Sequence, residues 1–256
     1  MPDRWEPAPP HLALGGGEVH VWRASLAASA HELARHHAIL SDEERSRAER
    51  FRFDLHRNRF IAGRAIQRLV LARYLDADPA ALTYALAEHG KPALDGSHGG
   101  SGLRFNVSNS ADGLLIAVAR GRELGVDLEA VLPVSDRDAV ARRFFSAPEN
   151  LVYDTIAEHE RDLAFFTCWT RKEAYIKALG EGLSMPLDRF DVTLRPGEPA
   201  QLLCTRGAAG EAARWTLREL DPGPGWLGAL AVEGGGWALR LFDWDPARPL
   251  GLPAEK

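Results

Sequence analysis

The stretch Leu124-Gly125-Val126-Asp127-Leu128-Glu129-Ala130 is followed some forty residues later by Trp169-Thr170-Arg171-Lys172-Glu173-Ala174-Tyr175-Ile176-Lys177. The first stretch alternates as a strand does, so Asp127 and Glu129, two residues apart, project from one face. The second lies inside 163–179, whose pattern predicts a helix that Gly180 can terminate. Trp169, Glu173 and Lys177 stand at i, i+4 and i+8 and therefore share one side of that helix. Between the two stretches, 137–145 reads as a helix. Ser146-Ala147-Pro148-Glu149 is a capping box with proline early in the first turn. Strands are predicted after the helix at 190–194, 215–220, 226–232 and 237–242.

The first half repeats this order. Residues 18–23 read as a strand, and Ser41-Asp42-Glu43-Glu44 is a capping box that opens a helix. That helix breaks near Asp54 and runs on to about Leu75, with Ile61, Ala65, Leu69 and Ala72 at helical spacing. Arg57, Arg64 and Arg68 fall on another face. Strands follow at 82–87, 103–107 and 114–119, with a Gly/Ser-rich loop at 95–102. Strand, helices, antiparallel strands, twice over, predict an α+β protein of two similar lobes meeting near Gly121. The lobes are placed at 1–121 and 122–245, with a Pro-rich tail at 246–256.

Composition narrows the function. The chain has 256 residues, 45% hydrophobic and 26% charged, as expected for a globular protein. No apolar run approaches the roughly 20 residues of a membrane span, and Met1-Pro2-Asp3-Arg4-Trp5 lacks a signal-peptide layout. Cys168 and Cys204 are too far apart for a metal knuckle or redox pair, which points to a reducing, cytoplasmic setting. A net charge of -5 argues against nucleic-acid binding. Between Ser41 and Arg73, however, nine Arg face five Asp or Glu. That excess fits a solvated helix face or a site for an anionic small molecule. Lysine is scarce: Lys91, Lys172, Lys177 and Lys256 are the only ones. A chain that otherwise uses Arg has reason to place an amine where the compact, shiftable charge of Lys matters.

Taken alone, these motifs have plain readings. Asp-x-Glu suits two solvated acids on an exposed strand, although like charges side by side also suit Mg²⁺, a hard cation bound by oxygen. Glu173 and Lys177 suit an exposed i,i+4 pair worth about 0.3–0.5 kcal/mol. Gly90-Lys91-Pro92 reads as a turn, and Ser108-Asn109-Ser110 as a polar strand end able to hold a phosphate.

In combination the pieces resemble one family. Gly90-Lys91-Pro92, Phe105-Asn106-Val107-Ser108-Asn109-Ser110, Gly125-Val126-Asp127-Leu128-Glu129 and Trp169 through Lys177 with Gly180 and Gly182 occur in this order. Arg143-Phe144-Phe145-Ser146 and Pro186-Leu187-Asp188 lie between and after them. This set resembles the Sfp-type 4′-phosphopantetheinyl transferases from about Ser41 to Val192. The resemblance implies a pseudo-twofold monomer that holds coenzyme A between its lobes. It would transfer the phosphopantetheine arm to a serine of an apo acyl or peptidyl carrier protein, with Mg²⁺ as cofactor. It also implies that Asp127, Glu129 and Glu173 bind the metal and that Lys177 is an active-site lysine. Lys91, Ser108 and Asn109 match coenzyme A contacts, and Arg47, Arg59 and Arg64 fall near the 3′-phosphate. Asn109 departs from the His common in the family; it can donate to a phosphate but carries no charge. On this reading Glu173, directly or through a water, takes the serine proton, and Lys177 assists the leaving oxygen. A Mg²⁺ nuclease and a non-catalytic binder of coenzyme A or carrier protein are the competing readings.

Overall fold

The computed structural model describes residues 3–86, 90–180, 182, 185–207 and 209–246. Its first half contains β1 (Glu6–Pro7), β2 (Glu18–Ser25), α1 (Ala30–Ala38), α2 (Asp42–Glu49) and α3 (Asp54–Leu75). Strands β3 (Tyr84–Leu86), β4 (Pro92–Leu94), β5 (Leu103–Ser110) and β6 (Gly113–Arg120) follow. The second half contains β7 (Leu124–Ala130), α4 (Arg137–Phe144), α5 (Ala147–Tyr153) and α6 (Arg161–Leu179). It closes with β8 (Phe190–Val192), β9 (Leu202–Thr205), β10 (Trp215–Leu220), β11 (Trp226–Glu233) and β12 (Ala238–Asp243).

Two sheets carry the fold, with strand orders β1-β12-β2-β6-β5 and β10-β11-β7. In each half the opening strand pairs antiparallel with the second arm of the closing hairpin: β2 with β6, and β7 with β11. The protein is thus α+β with the same connectivity used twice. Strand alternation decides which face goes where. Leu114, Ile116 and Val118 pack with Ala62, Ile66 and Val70 of α3, whereas Leu115, Ala117 and Ala119 face the other sheet. There they meet Leu124, Val126 and Leu128 of β7 and Leu230 and Val232 of β11. On its opposite side the second sheet packs Leu217, Ala229 and Ala231 against Ala174, Tyr175 and Ile176 of α6. Helix, sheet, sheet, helix is the resulting stack, and apolar burial on three levels holds it together. Among the described residues no helix is long and apolar enough to cross a membrane.

Several expectations need correction. The strand expected at 237–242 in the second lobe is β12, which pairs parallel with β2 in the first sheet, so the chain returns to its opening lobe. Strand β5 does not end at 107 but continues through Ser110, for a reason given below. Helix α1 was not anticipated, although Ser29 and Glu32 form a complete capping box; the short strands β4 and β9 were also missed. Ala87, Glu181 and the tail from 247 on lie outside the described residues.

Candidate active site

Gly125 sets the closeness of β7 and α6. A Cβ there would lie 2.2 Å from the Ala174 carbonyl oxygen and 2.3 Å from the Ala178 nitrogen. Backbone cannot yield as a side-chain tip can, so only glycine lets the helix press onto the strand. With Leu124, Val126 and Leu128 turned to the sheet–sheet core, Asp127 and Glu129 turn to α6, where Glu173 and Lys177 meet them.

The other edge of β7 explains the polar motif. Asn106 Oδ1 accepts from Val126 N (2.9 Å), Ser108 Oγ from Leu128 N (3.3 Å) and Ser110 Oγ from Ala130 N (3.2 Å). Alternate side chains of β5 thus replace a backbone ladder and close the seam between the sheets. The two hydroxyls then donate onward, Ser108 to Asp127 Oδ1 (2.9 Å) and Ser110 to Glu129 Oε2 (2.8 Å).

Asp127 is 3% exposed. Lys177 Nζ donates to its Oδ1 (2.6 Å) and to Ser108 Oγ (2.9 Å), while Oδ2 is buried with no partner. Burial raises the Asp127 carboxyl above its ordinary range, against the pull of Lys177. Glu129 is raised too, chiefly by burial and further by Asp127, despite its bond from Ser110. Glu173 is pushed up to about 7, first by burial, then by the charges of Asp127 and Glu129, with Lys177 opposing. Three carboxylates thus crowd one cleft of about 690 Å³, whose other walls include Arg143, Phe144, Trp169 and Leu187. Among the described residues no group of His, Cys, Asp and Glu stands in a ready coordination geometry. The donor set still fits a hard divalent cation: oxygen ligands only, one buried oxygen without a partner, and mutual repulsion that a cation relieves.

A second cleft of about 610 Å³ lies against α2, α3 and β5 and is lined by Arg47, His56, Arg59, Phe60, Arg64 and Asn109 among others. Arg59 is bonded to Asp112 (2.8 Å) and Arg64 to Glu44 (3.2 Å), whereas Arg47 lies over the Phe60 ring (5.3 Å). Exposed Asn109 lines both clefts and stands where they meet; Ser108 lines only the carboxylate cleft.

Lys91 is elsewhere. Its three donors are used on Glu123 Oε2 (2.7 Å), Leu124 O (3.1 Å) and Ala178 O (2.8 Å), and its side chain is 13% exposed. Its side chain is thus engaged at the lobe seam, while its neighbours Gly90 and Pro92 line the arginine-rich cleft. Lys172 is fully buried, donating to Leu187 O, Phe190 O and Glu149 and so fixing the chain after α6. Trp169 lines the carboxylate cleft beside Glu173 and Lys177, as its helical spacing predicts, and Arg143 and Phe144, which the sequence marked only as parts of a motif, line it too.

The model of the 4′-phosphopantetheinyl transferase superfamily matches residues 123–230, and that of a 4′-phosphopantetheinyl transferase N-terminal region matches residues 22–120. The chain is 40% identical over 240 residues to the 4′-phosphopantetheinyl transferase HetI of Nostoc sp. strain PCC 7120, covering 94% of this chain and 98% of that one. Against the 4′-phosphopantetheinyl transferase Sfp of Bacillus subtilis strain 168 it is 31% identical over 169 residues, covering 65% and 71%. Among solved structures, a holo-[acyl-carrier-protein] synthase of Thermotoga maritima aligns with a TM-score of 0.35 at 21% identity, over 44% of this chain and 62% of that one.

Proposed function

The chain belongs to the 4′-phosphopantetheinyl transferase family, and on that premise we propose that the cleft between β7 and α6 is where it transfers phosphopantetheine. It is an enzyme that moves this group from coenzyme A to a carrier protein. The finer reading is ours. A serine hydroxyl of the carrier attacks the β-phosphate of coenzyme A, a new P–O bond forms, and adenosine 3′,5′-bisphosphate leaves.

Most of the catalytic contribution in phosphoryl transfer is positioning and charge neutralisation. Asp127, Glu129 and Glu173 would hold Mg²⁺, which when bound offsets pyrophosphate charge and polarises the phosphorus. Glu173, facing the cleft from α6, takes the serine proton directly or through a water. Lys177 stands 2.6 Å from Asp127 with part of its side chain open to the cleft, so its ammonium can meet the departing oxygen. The adenosine 3′-phosphate belongs in the neighbouring cleft, where Arg47 has no carboxylate partner among the described residues and Arg59 and Arg64 add charge. Asn109 bridges the two clefts. In this reading the protein acts as a monomer in the cytoplasm.

The observation that carries the reading is the crowding of three carboxylates and one lysine on facing elements, with Asp127 Oδ2 left without a partner. The experiment is direct: incubate the protein with coenzyme A, Mg²⁺ and an apo carrier, then weigh the carrier. A gain of one phosphopantetheinyl group with equimolar adenosine 3′,5′-bisphosphate is expected. An unmodified carrier, or cleavage of added nucleic acid instead, overturns it.

A further inference from the structure

The structure assigns Lys91 a role as the positioning residue that fixes β7 against α6. This role rests on the proposed site, whose two halves Lys91 holds together.

Leu124 lies three residues before Asp127, and Ala178 lies one residue after Lys177. Lys91 donates to the carbonyls of both, so one ammonium ties the start of the strand to the end of the helix. The Ala178 carbonyl belongs to the last turn of α6, where no further turn can satisfy it and a cation is favoured. The third donor goes to Glu123, whose other oxygen is bonded by Arg104 of β5 (2.8 Å). Glu123 is thereby anchored to the first sheet while Lys91 reaches the second. The aliphatic stem is also fitted. Gly180, the left-handed cap of α6 at φ +76, leaves room for it, since a Cβ there would stand 3.1 Å from Lys91 Cδ. Gly90 at φ +85 turns the chain just before the lysine.

Close packing at Gly125 fixes the strand–helix spacing, and Ala174, Tyr175 and Ile176 seat the helix on the second sheet. Apolar contacts carry little direction, so the bonds of Lys91 add a fixed position along the helix axis. Displacing Glu173 and Lys177 by about 1 Å relative to Asp127 and Glu129 would cost transfer on the order of a hundredfold.

The test is Lys91→Met, which keeps the stem and removes the three donors. Expected are a kcat lowered at least tenfold, a higher Mg²⁺ concentration for half-maximal rate, and a calorimetric Kd for coenzyme A within about threefold of the parent. 3′-Dephospho-coenzyme A gives the contrast: parent and variant should lose affinity for it by the same factor. If the variant instead binds coenzyme A tenfold worse and no longer distinguishes it from the 3′-dephospho form, Lys91 holds the phosphate and the proposal fails. It also fails if only the melting temperature falls while kcat and the Mg²⁺ requirement stay put. Should Lys91→Met not fold, Lys91→Arg, whose planar guanidinium cannot place its donors on the same three acceptors, is read in the same way with a smaller drop in kcat. An inactive parent protein would count against the transferase site itself, and the coenzyme A measurements would still judge Lys91.

Discussion

Asp127 bears the sharpest conflict in the molecule: a carboxylate 3% exposed, bonded on one oxygen and bare on the other. Asp127→Asn keeps an acceptor for Ser108 and Lys177 while removing the buried charge. We predict that the Mg²⁺ requirement for transfer rises at least tenfold while the metal-free melting temperature does not fall, because removing an incompletely satisfied buried charge offsets the lost ion pair. A large drop in melting temperature with an unchanged Mg²⁺ requirement would make Asp127 a purely structural residue. Asn109 makes a prediction of opposite kind. If it meets a phosphate where the clefts join, Asn109→His should bind coenzyme A more tightly at pH 6 than at pH 8, since an imidazolium gives a charge-assisted bond. The Asn parent should show a flatter profile; parallel profiles would remove position 109 from the phosphate. Spacing alone put Asp127 with Glu129 and Glu173 with Lys177 on one face each, and only the family resemblance joined the two pairs into one site. The place of Lys91 was not legible, because its neighbours Glu123, Leu124 and Ala178 are distant in sequence and two of its three contacts are to backbone.

At the scale of elements, the strand–helix contact is the joint on which the site depends. Gly125→Ala would set a methyl carbon 2.2 Å from the Ala174 carbonyl oxygen and 2.3 Å from the Ala178 nitrogen, well inside van der Waals contact with the α6 backbone. Overpacking of this kind costs about 1–3 kcal/mol where side chains can move, and here backbone must move instead. We predict a loss of about 3 kcal/mol or more in denaturant unfolding, with transfer lost even where the protein remains folded. A variant as stable and active as the parent would show that α6 does not rest on Gly125. Periodicity gave β7, β10 and α6 nearly to the residue, because each buries a full face. It missed the extension of β5, since a run such as Ser108-Asn109-Ser110 reads as a turn until β7 is beside it. The side chains that look like a strand ending are the ones bonding the backbone of β7.

For the whole molecule, the return of β12 to the first sheet means that neither half is a separate unit along the chain. No sequence pattern told β12 to join β2, because pairing partner and direction depend on which edge the folded core leaves open. That edge has its own titration. His20 of β2 is buried, with Nδ1 2.9 Å from the Tyr74 hydroxyl, and Trp22 also donates to that oxygen (2.8 Å). Burial lowers His20 to about 4, with Arg240 adding to the effect and Glu18 opposing it. Above pH 6.5 the ring is neutral folded and unfolded, so its contribution is fully present. Between pH 6.5 and 4 the unfolded chain takes up a proton that the folded one refuses, and stability falls by about 1.4 kcal/mol per pH unit. The raised carboxyls of Asp127, Glu129 and Glu173 act with the opposite sign, so the parent is compared with His20→Gln. The variant should lose less stability between pH 7.5 and pH 5; equal losses would show that His20 is not the group responsible.

In the proposed chemistry one carboxylate, Glu173, reaches both the metal and the incoming hydroxyl. The direct measurement is Glu173→Gln, with transfer to an apo carrier followed by mass and coenzyme A binding followed by calorimetry on the same preparation. The account predicts no detectable transfer and a coenzyme A affinity within about threefold of the parent, because the variant removes the proton acceptor and leaves the arginine-lined cleft intact. Turnover close to that of the parent would contradict it.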